Sequence, residues 1–168
     1  MIVTLSTHIL IAAAAIKPIA HAHPALIFLG AVASHYLSDL IPHWDYKLRS
    51  IKPRAHFDDP LNWVPEAGSR RHDILFSGLD CAIGAALLFF LSYQSVMFDW
   101  WGYSAIVIGG VFPDGLKGIY YLLKKPKTLR LMQVVDRLLH THIALGRYPL
   151  LGLPFQAVIF VLAVFMIV

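Results

Sequence analysis

Five apolar segments, at roughly 2–16, 25–41, 74–92, 102–122 and 149–168, are separated by two long polar connections, 43–72 and 123–147. Few folds admit that pattern. Hydrophobic residues make up 58% of the chain and charged residues 14%, against about 25% charged in soluble domains. So few charges cannot coat a soluble globule of this size. The chain reads as all-α: a single domain over 1–168, an integral membrane bundle of about five transmembrane helices. A full span needs about 20 residues, so the first two segments are short and the third and fifth are adequate. Pro113-Asp114 inside the fourth predicts a kink or an end there. Lys17-Pro18 and Pro24 mark the first turn, and Ser92 to Gly102 the second. Residues 128–142 read as one amphipathic helix lying on the membrane surface. Leu131, Val134, Val135, Leu138 and Leu139 share a face, with Arg130, Asp136, Arg137 and His140 largely elsewhere.

The charge distribution sets an expected orientation. Lys47, Arg49, Lys52, Arg54, Arg70 and Arg71 lie in or beside the first connection. Lys117, Lys124, Lys125, Lys127, Arg130, Arg137 and Arg147 follow Asp114, leaving only Lys17 elsewhere. Five spans bring both connections to one face, which the positive-inside rule makes cytoplasmic. The expectation is a multi-pass protein of the cell inner (plasma) membrane, N-terminus inside and C-terminus outside. The net charge of +4 is then topological, and no nucleic-acid module is recognisable. Cys81 is the only cysteine, which excludes a disulfide within the chain and a cysteine-based zinc site. No basic region precedes the first apolar run, so that run is not read as a signal peptide.

Within the apolar segments stands His35-xxx-Asp39-xxx-His43. Residues four apart stack on one helix face, and imidazole with carboxylate is a donor set for a divalent ion. A carboxylate in an apolar segment is costly unless something pairs with it. Counting 1.5 Å per helical residue from the outer turns, His8 lies roughly 14 Å deep, His35 roughly 16 Å, Asp39 about 22 Å, and Asp80 and Asp114 about 20 Å. His43 and His72 sit higher, near the cytoplasmic boundary. His72 and Asp80 are eight apart and share a stripe, as His35 and His43 do. The candidate ligands are therefore His8, His35, Asp39, His43, His72 and Asp80, for one or two divalent ions, zinc foremost. Each has a plain alternative, such as a core histidine on a carbonyl, a helix cap, or Asp80 on a hydroxyl. Asp136 and His140 are also four apart, on the surface helix.

Gly30 with His35-xxx-Asp39-xxx-His43 resembles the signature of the zinc-dependent phospholipase C-like family. Thr7-His8 resembles that family's early Thr-His, and Gly109-Gly-Val-Phe-Pro113-Asp114 its Gly-x-x-Pro-Asp. The chain is also similar to the membrane-bound metal-dependent hydrolases of the LexA-regulated inner-membrane type. In those, His-xxx-Asp, Pro-Asp and Arg-x-x-His-Ser recur; His35/Asp39, Pro113/Asp114 and Arg70–Asp73 correspond here. The Pro-Asp follows the His-xxx-Asp instead of preceding it, and Asp73 replaces the serine. The resemblance implies a metal-dependent phosphoesterase or lipid hydrolase acting on a membrane lipid or lipid phosphate. An ion-activated water would attack, Asp114 or Asp45 would serve as general base, and Arg70, Arg71 or Lys117 would neutralise a phosphate. An ion or proton transporter, and a non-catalytic protein with a structural metal, are the alternatives.

Overall fold

The centre of the molecule is its first helix, α1 (Leu5–Ile16), ten of whose twelve residues are buried. The computed structural model describes residues 2–46, 48–52, 64–65, 70–95, 98–123, 127–141, 143, 145 and 148–168. Around α1 pack α2 (Pro24–Asp39), α3 (Arg70–Ser95), α4 (Trp100–Leu122) and α6 (Pro149–Ile167); α5 (Arg130–Leu139) crosses one end against α2 and α4. The chain is predominantly helical. Two antiparallel two-residue pairings supplement the helices: β1 (Ile2–Val3) with β2 (Asp45–Tyr46), and β3 (Ile51–Lys52) with β4 (Val64–Pro65).

Small residues let α1 be surrounded. The run Ala12–Ala15 narrows its C-terminal half, and glycines on its neighbours remove the side chains that would hold them off. A methyl on Gly84 of α3 would stand 2.5 Å from the Ser6 Cα, and one on Gly109 of α4 would stand 2.8 Å from the Phe28 carbonyl of α2. At one end of the bundle Lys17 donates to the carbonyls of Met166 (3.0 Å) and Ile167 (2.9 Å), a cation on the C-terminus of α6. At the other end Asp80 of α3 accepts from the Leu5 backbone N–H (2.5 Å) and the Ser6 hydroxyl (2.6 Å). Thr4, the residue before α1, makes no side-chain cap. Asp80 supplies the missing acceptor across 75 residues of sequence, at the positive end of the helix.

Among the described residues, two helices are long and apolar enough to cross a membrane, Arg70–Tyr93 and Pro149–Ile167, not about five. The reason lies in the other three. The apolar stretch of α1 runs only from Leu5 to Ile19. The sixteen residues of α2 include Ser34, His35, Ser38 and Asp39, and the longer α4 carries Asp114 and Lys117. The polar side chains His8, Ser34, His35, Ser38, Asp39 and Asp114 of these helices are buried inside the bundle. Both long apolar helices turn most of their side chains outward; Leu75 is 72% exposed and Leu150 91%.

Candidate metal centre

The polar residues of α1, α2 and α4 converge at the end of the bundle that α5 covers. His8, His35, Asp39 and His43 are at most 3% exposed and Asp114 is 6% exposed. Two groups of three have ligand atoms within 4.8 Å of one another: His8, His35 and Asp114; and Asp39, His43 and His140. Asp39 adjoins both groups. Its Oδ1 is 3.2 Å from His8 Nε2, and its Oδ2 is 3.5 Å from His35 Nε2 and 3.4 Å from His140 Nδ1. The His8 and His35 rings stack with centroids 4.0 Å apart, and the His43 and His140 rings meet edge to face at 5.0 Å.

Hydrogen bonds behind the rings set their tautomers. The His35 Nδ1–H donates to the Gly110 carbonyl at 2.7 Å, and the His43 Nδ1–H to the Ile41 carbonyl at 2.6 Å. The Ser38 hydroxyl donates to the His35 carbonyl at 2.8 Å. Its single proton is thereby used, so the Ser38 oxygen, 2.9 Å away, accepts from His8 Nδ1–H. A neutral imidazole protonated at Nδ1 carries its lone pair at Nε2. His8 Nε2, His35 Nε2, Asp39 Oδ1 and Asp114 Oδ2 are all buried without a hydrogen bond. Acceptors thus face acceptors in a dry place, an arrangement that is costly unless a cation stands among them. Protonating both stacked rings would set two like charges face to face. Donors of a tetrahedral zinc-sized site lie about 3.3 Å apart, from Zn–N lengths near 2.0 Å. The 3.2 and 3.5 Å separations at Asp39 are of that size. The residues fit a divalent ion.

A second layer holds the carboxylates. Lys117 Nζ lies 2.8 Å from Asp114 Oδ1 and 2.9 Å from Asp136 Oδ1 on α5. With Oδ1 on an ammonium, Asp114 keeps Oδ2 buried and free of any hydrogen bond. Burial pushes the Asp136 carboxyl above its ordinary range, and Lys117 pulls it the other way. The Thr141 N–H donates to the Asp39 carbonyl at 2.7 Å, fastening the end of α5 to the end of α2. Beside the histidines lies a cavity of about 20 Å³ lined by Thr7, His8, Ser38, His43 and Gln156 among others, enough for about one water or ion.

Of the residues singled out from sequence, the fold brings His8, His35, Asp39, His43 and Asp114 together. It does not bring His72 or Asp80 to them. His72 is 45% exposed at the start of α3 beside Asp73, and Asp80 is engaged with the N-terminus of α1. Lys117, expected to meet a phosphate, is enclosed between two carboxylates. Arg70 and Arg71 are exposed at the first turn of α3. The Asp45 side chain lies outside the described part of the molecule. His140, which by sequence belongs to a surface helix, enters the centre; its four-residue spacing from Asp136 is the signal the sequence carries. Ser38 and the Gly110 carbonyl carried none, because only the tertiary contact gives them a histidine to hold. No protein-family model matches the chain, and no curated protein or solved structure matches it.

Proposed function

We propose that the protein is a membrane-embedded, metal-dependent hydrolase. Its substrate would be a phosphoester or lipid headgroup at the cytoplasmic face. In this reading all five apolar helices cross or enter the bilayer, the short polar ones shielded by α3 and α6, with the basic connections inside. The supporting observation is the set of buried, unpartnered acceptor atoms on His8, His35, Asp39 and Asp114. His8, His35, Asp39, His43, Asp114 and His140 would hold one or two divalent ions, zinc being suited to this donor set. A bound ion of this kind supplies a water of near-neutral pKa and polarises a phosphoryl oxygen. The chain's own residues prepare for that chemistry. Ser38, Gly110 and Ile41 orient the imidazoles. Lys117 steadies Asp114, whose Oδ2 is positioned to coordinate or to accept a proton. The helices around the centre keep bulk water out.

Metal analysis of purified protein tests the reading. About one or two transition-metal ions per chain are expected, lost in His35→Ala and Asp39→Ala. A metal-free wild type, or full occupancy in both variants, sinks it. One observation favours a second reading, a structural ion that staples the helices: the cavity beside the centre has room for about one water. Chelation that lowers the melting temperature, with no turnover of phosphoester or lipid substrates by the loaded protein, would select the staple.

A further inference from the structure

The helix α5 is inside out for a protein in water. Leu131, Val134 and Leu138, spaced i, i+3 and i+7, face outward at 70%, 40% and 72% exposure. Gln133, Asp136 and His140 have the same spacing on the opposite side and face the bundle. Gln133 is buried, Asp136 pairs with Lys117, and His140 lies 3.4 Å from Asp39. A helix on a protein in water turns its apolar stripe to the core; here the core side is polar because the metal centre lies beneath. Arg130 and Arg137 are exposed on the flank of the outward stripe. The first turns of α6, at the same end of the bundle, also expose Leu150 and Leu151. We propose that the outer face of α5 seats in the acyl boundary of an anionic lipid surface. Through its inner face, that seating holds His140 and the Lys117–Asp136 pair on the metal centre. An interfacial helix with cationic flanks has this build. The lipid contact stands on the faces of α5 alone; its effect on the centre rests on the metal reading above.

The test uses the full chain in vesicles of phosphatidylcholine with and without phosphatidylglycerol. With Cys81→Ser as background, a nitroxide on Leu138→Cys reports depth. The expected result is protection from a water-phase relaxation agent, greater when phosphatidylglycerol is present. A label fully open to that agent overturns the lipid seat, and equal protection in both vesicles overturns the anionic preference. Then Zn²⁺ affinity is compared between wild type and Leu131→Asp/Leu138→Asp in the anionic vesicles. Loss of about tenfold is expected, the size seen when the supports of a metal site are disturbed. Unchanged affinity overturns the coupling. Should the charged pair not fold, Leu131→Ser/Leu138→Ser takes its place, with the same direction expected. A wild type that binds no Zn²⁺ removes the coupling and the metal reading together, and the label depth still decides the lipid seat.

Discussion

Asp39 has its carboxylate against three imidazoles and its backbone carbonyl bonded to Thr141. So much convergence on one side chain makes the supports of its neighbours measurable. Ser38 meets an imidazole of the centre at His8 Nδ1, so Ser38→Ala should free the His8 ring. Metal affinity should fall about tenfold or more, while the bundle stays folded; titration with Zn²⁺ reads the change. Asp80→Ala makes the opposite pattern. It removes the acceptor at the start of α1 and should cost about 1–2 kcal/mol of stability. Metal content at saturating Zn²⁺ should be unaltered, because Asp80 lies outside the centre. Lys117→Met leaves Asp114 and Asp136 buried without their cation. Breaking a buried pair in this way costs about 3–5 kcal/mol, and an unfolding curve of the variant in the same detergent measures it. His35 and Asp39 were legible in sequence since both lie on α2, where spacing alone sets direction; His43, expected on the same helix face, instead follows the end of α2 at Asp39 and reaches the centre from the turn beyond it. His72 and Asp80 obeyed the same periodicity, yet the rotation of α3 gives Asp80 to the N-terminus of α1 and leaves His72 at the surface.

Helices α2 and α4 meet along small residues, and that contact carries the site. Gly109 admits Ala31 and the Phe28 carbonyl of α2, and its neighbour Gly110 offers the carbonyl that orients His35. Gly109→Ala should wedge the two helices apart, at a cost of about 1–3 kcal/mol for an overpacked contact. It should also weaken metal binding, since the Gly110 carbonyl shifts away from His35. Parallel melting and Zn²⁺ titration of the variant check both; a tight, stable variant would contradict the close approach. For α5 the sequence defined two faces, Leu131, Val134 and Leu138 against Asp136 and His140. Read as a membrane-surface helix, it turns the apolar face away from the bundle, and Leu131 and Leu138 are exposed while Asp136 pairs with Lys117. An amphipathic helix is equally stable with either face buried, depending on whether water or lipid surrounds it and on what lies beneath.

At the scale of the whole molecule, segments far apart in sequence share the centre: α1, α2 and α4 contribute side chains, as do His43 after α2 and His140 at the end of α5, and α3 and α6 pack on α1 beside them. An ion bound there joins elements that loops alone connect loosely. Metal supplied at about a thousand times its dissociation constant stabilises the folded state by about 4 kcal/mol. Chelation should therefore lower the melting temperature in detergent, and re-addition of Zn²⁺ should restore it; a curve indifferent to chelator would count against any ion at this site. Composition and periodicity by themselves determined the helical class, the positions of the helices and the presence of His and Asp in apolar segments, because each follows from local propensity and burial. Length and composition also mark α3 and α6 as the helices long and apolar enough to cross a membrane. The tertiary structure alone decided that Asp114 joins His8 and His35, and that His140 joins Asp39 and His43, while Asp80 accepts at the start of α1. Meeting in space depends on helix rotation and close approach, and those are settled by packing between elements, not by spacing within one.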